Sequence, residues 1–299
     1  MKPTYKSCNR TLVYLTLVVS LLLASCETDV KSGGEVTRVP PFEEFHVEVN
    51  GQILYMKRWS FQGPPIIFLS GGGEDMGSWK DVIPKFTDSY SIFTVDTPGQ
   101  GKSSKPARSF KWKDLAEDVA QLVKQEFREP VIIVGHSLGA MIAGAVAAYN
   151  PTSVYALVLE DPPGDISGIF PWLRGQLKIR AMPYEERIKF YMEKGKTEEE
   201  AKRASETVDK INPVAMNELI AGRAAFDIKE ILPLMKCPVL FMLGVQEKGS
   251  LAQEEYRVEF RKQAPHAKIS VWPETGHHLH GPDPEKFVRE IKAFLKGIQ

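Results

Sequence analysis

The chain predicts an α/β fold: a mostly parallel, doubly wound sheet with an antiparallel hairpin at its N-terminal end and a helical insertion late in the chain. Two observations carry this expectation. From Pro64 onward, short runs rich in Val, Ile and Phe alternate with amphipathic segments, the pattern of strands covered on both faces by crossover helices. One such run, Val131-Ile132-Ile133-Val134, passes through Gly135-His136-Ser137-Leu138-Gly139 directly into helix-forming residues 140–149.

Each element has a local reason. Residues 45–49 and 52–56 alternate apolar and polar around Asn50-Gly51, and a two-residue Asn-Gly connection favours a type I′ hairpin because both positions must take positive φ. Strands are expected near 65–70, 91–96, 131–135, 155–160, 238–244 and 268–273. About 75 residues separate the fourth of these from the fifth, far more than a crossover needs. Residues 184–194, 197–210 and 213–225 within that gap each read as a helix. This makes 164–232 an insertion between two parts of one core, 42–163 and 233–299.

Gly-X-Ser-X-Gly between a strand and a helix is a nucleophile elbow: a sharp turn holds the serine in a strained backbone conformation while the glycines admit close neighbours. Ser137 is therefore a candidate nucleophile. Pro64-Pro65-Ile66-Ile67-Phe68-Leu69-Ser70-Gly71-Gly72-Gly73, with Trp79 following, resembles a central strand and its His-Gly-X oxyanion loop, with Ser70 where histidine is usual. Asp96-Thr97-Pro98-Gly99-Gln100-Gly101-Lys102-Ser103 resembles the Asp-X-Arg/Pro-Gly-X-Gly-X-Ser turn after the next strand, and Gly276-His277 resembles a histidine loop before the terminal helix. On these four ordered motifs, residues 42–299 resemble the α/β-hydrolase superfamily of esterases, lipases and peptidases. The resemblance implies the α/β-hydrolase fold, a helical cap at 164–232 above Ser137, and a Ser-His-acid triad.

A serine hydroxyl needs a base to take its proton during attack. Of the six histidines, His277 fits the family's chain order and position best, with His278 and His280 as neighbouring rivals. His136 reads as a packing residue, and His46 and His266 as solvated surface. The resemblance offers two places for the acid. Asp161, in Glu160-Asp161-Pro162-Pro163, follows a strand on a proline-stiffened turn, and Glu247, in Gly244-Val245-Gln246-Glu247, stands three residues after a strand-ending glycine. Asp161 is preferred for its shorter side chain and stiffer setting, with Glu247 as the alternative. The oxyanion donors are expected to be the NH groups of Leu138, directly after the nucleophile, and of Gly72 in the loop that matches His-Gly-X. Phe170, Pro171, Trp172 and Leu173 either line an acyl pocket or pack cap to core. The glycine run lacks a following Gly-Lys-Ser/Thr, so nucleotide binding is not expected. His277, His278 and His280 form the one metal-like group in the sequence, and the resemblance disfavours it; no metal and no cofactor are expected.

The first 25 residues read as an address. A basic start with Lys2, Lys6 and Arg10 precedes an apolar run too short to span a membrane comfortably, and Leu23-Ala24-Ser25-Cys26 resembles the bacterial lipobox. The implied product is a protein of the bacterial cell envelope, on the periplasmic or surface side, anchored to a membrane by lipid on Cys26, with 26–41 as a tether. Cys237 is then the cysteine of the folded body beyond the lipidated terminus, where buried packing outweighs reactivity. The chain has 38 bases and 38 acids, and removing the three leader bases leaves it slightly acidic, which offers no basic stripe for nucleic acid.

The expectation is thus a lipid-anchored, exported serine hydrolase of carboxylesterase type, monomeric, acting on a small-molecule ester, thioester or related acyl compound through an acyl-enzyme. The same triad can also serve carbon-carbon bond, peptide or perhydrolase chemistry. A non-catalytic binding protein of the same fold is the reading from another class.

Overall fold

The computed structural model describes residues 41–106, 108–164, 166–210 and 212–298. The leader, most of the tether and Cys26 lie outside them. Eight strands form one sheet: β1 (Glu43–Val49), β2 (Gln52–Arg58), β3 (Pro65–Leu69), β4 (Ser91–Asp96), β5 (Val131–His136), β6 (Val154–Glu160), β7 (Val239–Leu243) and β8 (Lys268–Val271), in spatial order β1-β2-β4-β3-β5-β6-β7-β8. The pairs β1–β2 and β2–β4 are antiparallel and every later pair is parallel. This is the α/β-hydrolase fold. Asn50 and Gly51 both take positive φ, 48° and 79°, and bring Val49 opposite Gln52, as an Asn-Gly hairpin requires.

Period-two alternation explains why the central strands are apolar throughout. Ile67, Leu69, Ile133, Leu157, Leu159 and Phe241 face one buried cluster with α1 (Trp112–Glu126), α2 (Leu138–Tyr149) and α7 (Glu254–Gln263). Their neighbours Ile66, Phe68, Val134, Val158 and Met242 face the other, with Trp79 and α8 (Pro284–Lys296). Asp283 caps α8 by accepting from the Lys286 NH at 2.9 Å, with Pro284 in the first turn. Cys237 is half-buried before β7, and burial pushes its thiol up to about 11.

The stretch between β6 and β7 carries α3 (Phe170–Arg180), α4 (Tyr184–Glu193), α5 (Glu198–Asp209) and α6 (Pro213–Ile220). Helix α3 was not anticipated as a helix, although Pro171 stands where a first turn tolerates it. Thr197 and Glu200 close a capping box on α5, and Asn212 caps α6 through the NH groups of Val214 and Ala215. Helix α6 is shorter than its sequence pattern suggests because Gly222, at φ 70°, leaves the helical region soon after it. Arg187 clasps Asp209 through two bonds of 2.5 and 2.7 Å, joining α4 to α5, and Lys210 reaches Asp75 of the glycine loop at 2.8 Å. Among the described residues no helix is long and apolar enough to cross a membrane.

The sheet positions the elbow through glycine. A Cβ on Gly135 would lie 2.4 Å from the Gly139 carbonyl oxygen, and one on Gly139 would lie 2.2 Å from that of Leu69. Backbone cannot yield as a flexible side chain does, so Gly135→Ala is expected to cost about 3 kcal/mol or more, read as a lowered melting temperature. A melting temperature equal to wild type would show that the strand-to-helix crossing has slack.

Candidate active site

Ser137 follows β5 and precedes α2 with φ 51° and ψ −116°, outside the regions open to ordinary L-residues. Such strain costs on the order of 1–3 kcal/mol and persists only where its surroundings impose it. Here the Ser137 NH donates to the Glu160 carbonyl at 3.0 Å, while its own carbonyl accepts from Ala140 and Met141 in the first turn of α2. Leu138 opens α2, so its NH has no partner one turn back within the helix. Gly72 sits against it, since a Cβ there would lie 3.6 Å from Leu138 Cδ2.

The histidine loop is held from the end of β6. His277 Nδ1 lies 2.7 Å from Asp161 Oδ2. Asp161 has no exposed surface and takes φ 42°. Its carboxylate also accepts from Ser250 Oγ at 2.6 Å, the Leu251 NH at 2.8 Å and the Gly244 NH at 3.1 Å. Glu247 lies exposed in the 3₁₀ turn Gln246–Lys248. Of the sequence's two candidate acids, the fold brings Asp161 to His277. The turn that follows Glu247 supplies Ser250 to hold the acid.

The rival histidines have other partners. His280 is buried, with Nδ1 2.8 Å from Glu160 Oε2 and its ring 4.3 Å from that of Trp79. His278 is half-exposed, with Nδ1 3.5 Å from Glu74 Oε1. His136 is buried at the centre of these rings; its Nε2 lies 3.0 Å from the His277 carbonyl and its Nδ1 3.3 Å from Glu74 Oε2. Burial alone favours a neutral His136, but attraction to Glu160 and Glu74 outweighs it and raises this imidazole to about 9. Burial beside that charge pushes His278 down to about 4. Burial likewise opposes charge on Glu74, and His136 above all, then His278, overcomes it and draws the carboxyl down to about 2. His46 and His266 are exposed.

Sequence reasoning missed Glu74 and Glu160. The available signal for Glu160 was a charge closing the apolar run of β6; Glu74 had none beyond its place after the glycines. The Asp96 turn proves structural: its carboxylate accepts from the NH groups of Met76 and Lys102 at 2.8 and 2.9 Å, tying the glycine loop to β4, and burial raises its pKa. Ser70, where histidine is usual, donates to the Asp75 carbonyl at 3.0 Å within that same loop.

Ser137, Leu138, Gly72 and His277 share a cavity of about 220 Å³ whose far wall is Ile166, Ile169, Trp172, Leu173, Met216 and Leu219. Of the four residues expected at the start of the insertion, Trp172 and Leu173 line it, while Phe170 packs on the core. A larger cavity of about 590 Å³ shares only Glu74 with this one and is bordered by paired charges such as Lys102 with Glu44 and Lys210 with Asp75.

The comparisons with known proteins agree with this architecture. Residues 66–290 match the model of the alpha/beta hydrolase family. The chain belongs to that family. The 2-(acetamidomethylene)succinate hydrolase of Mesorhizobium japonicum is 32% identical over 111 residues, 37% of this chain and 40% of that protein. The (E)-2-((N-methylformamido)methylene)succinate hydrolase of Acinetobacter baylyi is 23% identical over 257 residues, 79% of this chain and 91% of that protein. The crystal structure of E-2-(acetamidomethylene)succinate hydrolase superposes with a TM-score of 0.70 at 21% identity, covering 86% of this chain and all of that one, a likeness of fold. The family and its named hydrolase relatives support an enzyme of this fold.

One electrostatic consequence is measurable. Full burial pushes Glu160 toward neutrality, yet attraction to His280 and then His136, with hydrogen bonds from the Leu279 and His280 NH groups, lowers it from 4.5 to about 2. A depressed carboxyl stabilises the fold fully above its unfolded value near 4.5 and loses that contribution as pH falls through about 2. Wild-type stability in urea should therefore decline across that window. Glu160→Gln should show a flatter acid limb and a neutral-pH loss of about 3–5 kcal/mol, as when one partner leaves a buried pair. An unchanged acid limb would contradict this role.

Proposed function

We propose that the protein is a serine hydrolase in which Ser137 attacks an acyl carbon, His277 serves as base and then acid, and Asp161 orients His277. The observation that carries the reading is the buried Asp161 carboxylate 2.7 Å from His277 Nδ1, with His277 and the strained Ser137 lining one cavity. In this mechanism the Ser137 hydroxyl passes its proton to His277 as it adds to the carbonyl, and the NH groups of Leu138 and Gly72 receive the developing oxyanion. His277 protonates the leaving group, and water assisted by His277 releases the acyl group from Ser137. Helices α3 and α6, with the turn before α3, act as the cap that shapes the acyl side.

The cavity supports a neutral substrate with a compact apolar acyl group. Its far wall is apolar, and among the described lining residues there is no Lys or Arg and Glu74 is the carboxylate. A dicarboxylate of the kind named for the succinate hydrolases would meet Glu74, whose neighbouring His136 is already committed to Glu74 and Glu160. An ester or thioester is favoured; fold and triad alone also serve carbon-carbon bond, peptide and perhydrolase chemistry.

A fluorophosphonate probe should label wild type and not Ser137→Ala, and turnover of neutral short-chain esters should exceed that of their carboxylated analogues. Asp161→Asn should lower kcat by up to about 10⁴, because the amide misorients the histidine, whereas Glu247→Gln should stay within a few fold. The reverse pattern in a folded protein would move the acid to Glu247, and an unlabelled wild type would end the serine mechanism.

We propose also that the enzyme is exported to the bacterial envelope and anchored by lipid on Cys26, a reading supported by the sequence of residues 1–26. Metabolic labelling with a fatty-acid analogue should mark the wild type and not Cys26→Ala. Equal labelling of the two would refute the anchor.

A further inference from the structure

The glycine loop and the histidine loop meet at three side chains whose ligand-type atoms are gathered close together. Glu74 Oε2 lies 3.3 Å from His136 Nδ1, Glu74 Oε1 lies 3.5 Å from His278 Nδ1, and all three ligand atoms fall within 4.8 Å of one another. Ligands about 2.0–2.1 Å from a tetrahedral zinc stand about 3.4 Å apart, and each imidazole nitrogen stands near that distance from one of the two Glu74 oxygens, His136 from Oε2 and His278 from Oε1.

The surroundings match as well. His136 turns Nδ1 toward this point because its Nε2 is committed to the His277 carbonyl at 3.0 Å, and metal-binding imidazoles characteristically engage a backbone carbonyl with the other ring nitrogen. The Glu74 carboxylate is fixed by the Gly71 NH at 2.9 Å, as ligating carboxylates usually are. Two imidazoles and one carboxylate suit zinc and its borderline neighbours rather than magnesium or calcium. All three residues line the cavity that Ser137 and His277 line, so a cation held by them would border the same space as the reacting groups.

We propose that Glu74, His136 and His278 bind a zinc-type divalent cation bordering the Ser137 cavity, and that occupancy inhibits hydrolysis. The cation takes the place of a proton held within the cluster, since each imidazole ligates through a lone pair. It also ties the oxyanion loop to the histidine loop. The inhibition rests on the serine-hydrolase reading; the binding does not.

Zinc chloride titrated calorimetrically into the full chain tests the site. One zinc per chain is expected for wild type and equally for Ser137→Ala, which separates this site from the hydrolytic mechanism. His278→Ala and Glu74→Gln should each weaken binding at least about 100-fold, since even residues behind the direct ligands cost up to that much. The His278 side chain is 53% exposed, so its removal leaves the core intact. Cobalt(II) should give the visible absorption of a four-coordinate site in wild type and lose it in His278→Ala. In an ester assay zinc should inhibit wild type, reversibly with a chelator, and spare His278→Ala. Zinc that binds His278→Ala as tightly as wild type, or fails to bind wild type stoichiometrically, overturns the site. Binding abolished by His277→Ala but unaffected by His278→Ala places the cation on His277 and overturns it equally. Stoichiometric binding without inhibition overturns the inhibitory role alone.

Discussion

Two consecutive buried carboxylates at the end of β6, Glu160 and Asp161, hold the histidine loop, and the geometry of the site follows from them. Neither has exposed surface. Glu160 accepts from the NH groups of Leu279 and His280 and from the His280 ring, while Asp161 accepts from His277 Nδ1. Burying a carboxylate is costly unless hydrogen bonds and opposite charge replace its water, and both groups are supplied with such partners. A loop without regular secondary structure is thereby pinned at two points from one strand end. The His277 side chain thereby takes its orientation from the end of a sheet strand.

The elbow depends on the same strand end. The Glu160 carbonyl accepts the Ser137 NH, so β6 organises the backbone of the serine as well as the histidine loop. The positive φ of Ser137 and of Asp161 fall on the residues directly after the paired ends of two adjacent parallel strands, His136 of β5 and Glu160 of β6. Sheet pairing and the close Gly135–Gly139 approach supply the constraint that such strain requires. The insertion contributes differently. It brings apolar side chains from α3 and α6 over the serine, while Lys210 and Asp75 join it to the glycine loop.

His136 illustrates how a residue beside a motif can acquire a purpose from the fold. Its position in the elbow suggested packing alone, and it is indeed buried. In the folded chain it also links Glu74 of the glycine loop to the backbone of His277, so the two loops that frame the cavity share one imidazole. The partners that give it charge stand 62 and 24 positions away in sequence. No local pattern records such a meeting.

Local sequence by itself determined the elements and their order. The Asn50-Gly51 turn, the apolar strands, the glycine-flanked Ser137 and the Gly276-His277 loop are set by short-range chemistry: backbone sterics, alternation and turn propensity. These interactions act over a few residues, which is why they can be read from a string. The tertiary structure alone decided which carboxylate meets His277. Asp161 and Glu247 both follow strand ends, and side-chain length and the Pro162-Pro163 turn gave only a preference between them; the positive φ of Asp161 and the donors Gly244, Ser250 and Leu251, all far along the chain, turn one inward and leave the other in solvent. Glu74 and Glu160 were silent for the same reason. A buried carboxylate is defined by its partners, and those partners are assembled only when the loops close over the sheet.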